Sequence, residues 1–227
     1  MTVRRWDRVC LVGVGVLVAC GGGGDGGGTG PCTPGAATQL VKSGGDQQDW
    51  YFSNALPSPY SVTARDANSC AVPGVVVTWA PATAEDGSVS PTQSTTNASG
   101  VATTTHTLGA SATTQTVTAT ASTAGLPILM FAAHAAAPPT SGAVAVNNNF
   151  FSPSSIVVQT GGTVTWTWNS GLTPHNVTYT GGPAPLPSNS TTQAGGTSFS
   201  TTFTNVGQYT YHCTIHAGMD GNVTVVH

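Results

Sequence analysis

Gly207-Gln208-Tyr209-Thr210-Tyr211-His212-Cys213 alternates polar and aromatic side chains, then runs into Thr214-Ile215-His216-Ala217-Gly218-Met219. The first half reads as a β-strand, because successive strand side chains point to opposite faces. With Cys213 facing inward, Tyr209 and Tyr211 face inward too, while Gln208, Thr210 and His212 face out. The second half spaces a thiol, an imidazole and a thioether three residues apart, with Ala217-Gly218 to turn the chain back on itself. A second imidazole stands upstream in Pro174-His175-Asn176-Val177. His175, Cys213, His216 and Met219 together offer two nitrogens, a thiolate and a thioether, the ligand set of an electron-transfer copper site.

Taken singly, each of these residues reads as structure: a buried thiol, satisfied polar rings, core filler. Taken in this order and spacing they read as a metal site. A thiolate favours Cu(I), imidazole accepts Cu(II), and a weak thioether helps set the balance, so the expected cofactor is one copper ion that changes between these two states. Zinc is also held by two imidazoles and a thiolate; the methionine argues against it. His212 faces away from the site. His106, His134 and His227 form no paired motif for a second copper centre, which argues against oxidase or reductase chemistry. No catalytic residue and no small-molecule substrate are expected, and the chain is read as a protein other than an enzyme.

The order His, then Cys-x-x-His-x-x-Met, resembles the cupredoxins, and the short spacing on both sides of His216 is most similar to amicyanin. The likeness extends back through Phe151-Ser152-Pro153, Ile156-Val157-Val158, Gly161-Gly162-Thr163-Val164-Thr165-Trp166 and Pro174-His175-Asn176. It implies a Greek-key β-sandwich in which His175, Cys213 and His216 are strong copper ligands and Met219 is axial. It also implies that Asn176 ties the two ligand loops together. The edge of His216 is expected at the surface, among loops such as Gly171-Leu172-Thr173-Pro174 and Pro183-Ala184-Pro185-Leu186-Pro187, as the exit for electrons. The chain departs from the family pattern at Ile215, where proline is common.

The strand reading of residues 142–227 places strands at about 144–147, 155–159, 163–169, 175–178, 198–203, 207–213 and 222–226. Their core is expected from Val144, Val146, Ile156, Val158, Val164, Trp166, Trp168, Phe203, Tyr209 and Val223.

Residues 35–136 are also strand-rich, with Val75-Val76-Val77-Thr78-Trp79, Val101-Ala102-Thr103-Thr104, Gln115-Thr116-Val117-Thr118-Ala119-Thr120 and Ile128-Leu129-Met130-Phe131 separated by Gly, Pro, Asn and Ser. The run from Ala64-Arg65-Asp66 through Gly74-Val75 and Thr96-Asn97-Ala98-Ser99-Gly100 to Gln115-Thr116 resembles bacterial immunoglobulin-like domains of the invasin and intimin type. That likeness implies a spacer, with adhesion as the other reading. Trp79 is expected in its core and His106 on its surface. The fold class is therefore all-β: two β-sandwich domains, the immunoglobulin-like one first and the cupredoxin second, joined by a linker at 137–141.

The N-terminus gives the expected location. Arg4, Arg5 and Arg8 precede an apolar run from Leu11 to Val18 that is too short to span a bilayer. Leu17-Val18-Ala19-Cys20 resembles the bacterial lipobox, which implies a signal peptide over 1–19, cleavage before Cys20, and lipid on that cysteine. Residues 20–34 follow as a glycine-rich tether; a ten-residue flexible stretch of this kind spans on the order of 17 Å. Cys10 leaves with the signal, which leaves Cys32 and Cys70 to pair in an oxidising compartment.

The formal charge of −3 becomes −5 once three arginines and Asp7 leave with residues 1–19. Nucleic acid is an unsuitable partner for such a chain. Between residues 142 and 227 Asp220 is the sole Asp, Glu, Lys or Arg, so long-range steering of a partner is feeble and docking rests on neutral contacts. The sequence thus reads as a lipid-anchored blue (type 1) copper protein at the bacterial cell envelope, on the periplasmic face or the cell surface. It passes single electrons between redox partner proteins. The other readings are a copper module for storage, delivery or sensing, and an adhesin stiffened by copper.

Overall fold

The computed structural model describes residues 32–227, and the readings of the signal peptide, of Cys20 and of residues 20–31 of the tether lie outside them. Among the described residues the chain is all-β, with seventeen strands and one turn of 3-10 helix (Ala84–Asp86). The alternation of Val, Thr, Tyr and Trp with polar residues supplies the strands, and Gly, Pro and Asn end them.

Nine strands enclose the first core: β1 (Gln39–Gly44), β2 (Gln48–Tyr51), β3 (Tyr60–Arg65), β4 (Val76–Pro81), β5 (Ser88–Ser90), β6 (Gln93–Thr95), β7 (Val101–Thr107), β8 (Thr114–Ala121) and β9 (Leu129–Ala136). They form one sheet in the order β1-β3-β7-β5 and a second in the order β2-β9-β8-β4-β6. The chain crosses between these sheets directly after β1. Gly45 allows it, with φ of 80° and so little room that a Cβ would stand 2.2 Å from the Pro59 carbonyl oxygen. Tyr60, Val62, Val77, Trp79, Val117 and Phe131 fill the space between the sheets, and the Tyr60 and Phe131 rings stack with centroids 4.6 Å apart.

Eight strands enclose the second core: β10 (Ser141–Asn147), β11 (Phe150–Ser152), β12 (Ser155–Gln159), β13 (Thr163–Trp168), β14 (Thr178–Gly181), β15 (Ser198–Thr202), β16 (Gly207–His212) and β17 (Asp220–Val226). Their sheets run β11-β10-β13-β15 and β12-β17-β16-β14. Of the ten core residues expected from the sequence, nine are buried here and Ile156 packs against them partly exposed. Tyr209, Tyr211 and Cys213 are buried while Gln208 and Thr210 are exposed and His212 is half-buried, the alternation expected. The expected strand at 175–178 is different: regular pairing begins at Thr178, and His175 makes an isolated bridge with Gln193.

His106 is a correction, because it is fully buried rather than at the surface. Threonine tolerates either face of a strand, so the Thr-rich run of β7 hid which parity was inward; Ala102, Thr104 and His106 share the buried face. The ring is satisfied there, with Nδ1 3.2 Å from the Tyr60 hydroxyl and Nε2 against the Asp86 carbonyl. Burial holds its pKa below the ordinary histidine value, opposed by the contacts with Asp86.

Cys32 and Cys70 are joined, with Cα atoms 5.8 Å apart. Beside the bridge one carboxylate gathers three main-chain donors, as Asp66 accepts from Gly35, Asn68 and Cys70 at 2.8 to 2.9 Å.

Two consequences are measurable. Closing a loop of sequence separation 38 removes chain entropy from the unfolded state worth about 4 kcal/mol. Replacing both Cys32 and Cys70 by alanine lowers the unfolding free energy toward that amount in denaturant titration, and an unchanged midpoint contradicts it. For His106 the depressed folded-state pKa means that the unfolded chain binds more protons near pH 6, so stability is full above about 6.5 and is lost as pH falls below it. The His106→Gln variant has a shallower loss than the wild type across this window; identical pH profiles contradict the assignment.

Candidate metal centre

Two separate segments meet at one end of the second sandwich. His175 comes from the loop between β13 and β14, and its main chain is pinned three times. Its N–H donates to the Gln193 carbonyl and its own carbonyl accepts from the Gln193 N–H, both at 2.8 Å. The indole N–H of buried Trp168 also donates to the His175 carbonyl at 3.1 Å. Gln193 had no signal in the sequence, since a lone backbone bridge depends on nothing in its side chain.

The second segment leaves β16 at His212 and turns tightly. The Cys213 N–H donates to the Met219 carbonyl at 3.0 Å and the Met219 N–H to the His216 carbonyl at 3.3 Å. Gly218 makes this reversal with φ of 76°, a conformation costly for other residues. Met219 is thereby returned to the second core, where it is buried with Cys213.

Asn176 locks one segment to the other. Its Nδ2 donates to the Thr214 hydroxyl at 2.7 Å, and its Oδ1 accepts from the Thr214 N–H at 2.9 Å. The tie implied by the sequence is therefore made by this side chain in both directions.

What the lock brings together is a set of donors. One ligand atom each from His175, Cys213 and His216 lies within 4.8 Å of the others. Nδ1 of His175 and Nδ1 of His216 both stand 3.7 Å from the Cys213 sulfur. A metal bound at about 2.3 Å to sulfur and about 2.0 Å to nitrogen, with angles between tetrahedral and trigonal, sets a sulfur-to-nitrogen distance of about 3.5 to 3.8 Å. Both sulfur-to-nitrogen distances therefore match those expected around a single shared ion. Burial, and then the nearby His216, hold the His175 pKa below its ordinary value, which keeps the ring neutral and available as a ligand. His175 and Cys213 are buried and His216 is half-buried, so one edge of the set reaches the surface.

The loop around Pro183 is elsewhere. Gly207 lies against the Pro183 ring, and the Asn205 side chain donates to the Ala184 carbonyl at 3.1 Å. Both partners are at the start of β16, at the far end from Cys213. The proline-rich loop therefore leaves β14 away from the site, and the chain returns only through Asn189 to Gln193, which pair with Tyr179, Val177 and His175. Near the centre the exposed apolar side chains are Leu172 at 96 % and Ile215 at 45 %.

Comparisons with known proteins bear on the second sandwich. Residues 141–226 match the family of copper binding proteins, plastocyanin/azurin family. Plastocyanin of Scenedesmus fuscus is 38 % identical over 84 residues, which cover 33 % of this chain and 85 % of that protein. Chloroplastic plastocyanin of Tetradesmus obliquus is 34 % identical over 84 residues, covering 33 % of this chain and 57 % of that one. Among solved structures, a purple cupredoxin from Nitrosopumilus maritimus is 30 % identical, covering 37 % of this chain and 98 % of its own with a TM-score of 0.34.

The Asn176 lock has a measurable role before any metal is present. Asn176→Ala removes both hydrogen bonds to Thr214 and leaves the Thr214 N–H without its acceptor, at a cost of about 1 to 3 kcal/mol in the unfolding free energy of the metal-free protein. Support of this kind is worth roughly ten- to a hundredfold in metal affinity, so competitive chelator titration of the variant shows weaker binding. Wild-type values in both measurements contradict the role.

Proposed function

The chain belongs to the plastocyanin/azurin family of copper-binding proteins through residues 141–226, and from that membership we propose an exported, lipid-anchored carrier of single electrons that holds one copper ion with His175, Cys213, His216 and Met219. It is an electron carrier rather than an enzyme. One observation carries the choice of ligands: both imidazole Nδ1 atoms stand 3.7 Å from one buried sulfur. Copper in such a ligand set supplies one-electron chemistry through its two oxidation states.

The protein's part is to hold the ligands still. His175 is fixed by the Gln193 bridge and Trp168, Cys213 by the Met219 carbonyl, and the two segments by Asn176. A frame with so many restraints leaves the ligands little freedom to rearrange when the charge at the centre changes. Burial of His175, Cys213 and Met219 excludes water on three sides, and the half-buried His216 is the side through which an electron leaves. Partner docking at that edge rests on Leu172, Ile215 and neutral polar groups, as Asp220 is the sole formal charge from residue 142 onward.

Residues 35–136 serve in this reading as an immunoglobulin-like spacer. Support comes from the facing four- and five-stranded sheets, between which the chain crosses directly after β1, and from an interior without a cluster of metal ligands among the described residues. The lipobox-like Leu17-Val18-Ala19-Cys20 and the glycine-rich segment support a location at the bacterial envelope with a tether through Cys20.

Voltammetry of the copper-loaded protein separates carriage from delivery. A reversible one-electron wave, lost in a folded Cys213→Ser variant, is the expected result. Electron-transfer rates to a small neutral protein partner change little with ionic strength. Irreversible copper loss to a chelator on reduction, with no wave, contradicts the carrier reading.

A further inference from the structure

A second polar lock lies at the opposite end of the second sandwich. Asn54, 7 % exposed, follows β2 in the first sandwich. Its Oδ1 accepts from the main-chain N–H of His227 at 3.0 Å, and its Nδ2 lies 3.5 Å from the His227 carbonyl oxygen. Asn54 is itself held, because Nδ2 also donates to the Phe52 carbonyl at 2.8 Å and its own carbonyl accepts from Leu108 at 3.0 Å. The contact joins positions 173 residues apart.

The covalent connection beside it has little slack. The Phe52 N–H donates to the Ala136 carbonyl at 3.0 Å, so β9 is tied to its last residue. On the other side the Pro139 carbonyl accepts from Gln159 at 2.8 Å and the Thr140 carbonyl from Thr163 at 3.2 Å. That leaves Ala137 and Pro138 as the free links, and proline rings at 138 and 139 fix φ at both positions. One short linker alone still permits swivelling; a second attachment distant in sequence removes it.

The strand directions say which ends are joined. In the first sandwich β1 starts at Gln39 opposite Arg65, beside the Cys32–Cys70 bridge, while the Leu108–Asn54 pair follows the far end of β7. In the second, β17 begins directly after Met219 and ends directly before His227, a run of seven residues that covers on the order of 23 Å at about 3.3 Å each.

From these contacts we infer that the two sandwiches form one rigid body, locked through Asn54 and the end of β17, with the Cys32–Cys70 bridge at one tip and the His175–Cys213–His216 cluster at the other. The docking face on the first sandwich is thus built for the main chain of residue 227 of the same molecule. The first sandwich is then a rod of fixed direction, which holds the metal tip as far as the fold allows from residue 32 and leaves the His216 edge uncovered. Rigidity is independent of the copper reading; only the description of the free tip as the redox tip rests on it.

Backbone 15N relaxation on the metal-free protein tests the lock, and no copper chemistry enters the readout. Amides of both cores, such as those of Val62 and Val164, are expected to report one common tumbling time in the wild type. Asn54→Ala removes the lock from one side, and His227→Pro removes its N–H donor without touching the first sandwich. In both variants, with core chemical shifts unchanged, the two sets of amides separate and their tumbling times shorten, toward about half as the tumbling mass halves. Two different times in the wild type overturn the inference, as does a single unchanged time in both folded variants.

Discussion

The structure depends on the convergence of two imidazole nitrogens on a single buried sulfur. Two of these groups, His175 and Cys213, are buried in an uncharged interior where they are costly to desolvate, and the surrounding core of Val, Trp, Phe and Tyr does little to compensate them. What holds them there is a set of main-chain and amide bonds to neighbours that have no metal-binding chemistry of their own: Gln193, Trp168, Thr214 and Asn176. The sandwich supplies the distance. His175 and Cys213 are 38 residues apart in sequence and become adjacent because β13 and β16 lie in facing sheets and end at the same pole.

The legible part of this arrangement was local. Spacing by three around His216, and the alternation that turns Tyr209, Tyr211 and Cys213 inward, are properties of one continuous stretch, and both are seen in the fold. Core positions in strands of Val and Trp were legible for the same reason, since a one-residue slip would expose them all. His106 was not, because Thr103, Thr104 and Thr105 offer no contrast between faces. Nor was the direction of the Pro183 loop: proline marks a turn but carries no information about the end of the sandwich at which it lies. Gln193 and Asn54 act through backbone pairing and through a contact with a remote residue, and neither leaves a pattern in its own neighbourhood.

Charge and polarity divide the labour between the ends. The metal pole exposes Leu172 and Ile215 beside a half-buried imidazole, and on the proposed reading a surface nearly free of formal charge selects partners by shape and by removal of water rather than by attraction at a distance. The opposite pole is engaged with the first sandwich, whose disulfide and Asp66 staple stiffen the end nearest residue 32. A carrier fastened in this way trades diffusional freedom for a constant orientation of its exposed imidazole.

In the proposed centre Cys213 binds copper as a thiolate between two imidazoles. The most direct measurement is the visible absorption spectrum of the oxidised, copper-loaded protein. An intense sulfur-to-copper charge-transfer band in the visible region, absent from Cys213→Ser, is the predicted result; a copper-loaded protein that stays colourless, with a paramagnetic resonance spectrum no different from free cupric ion, contradicts the account.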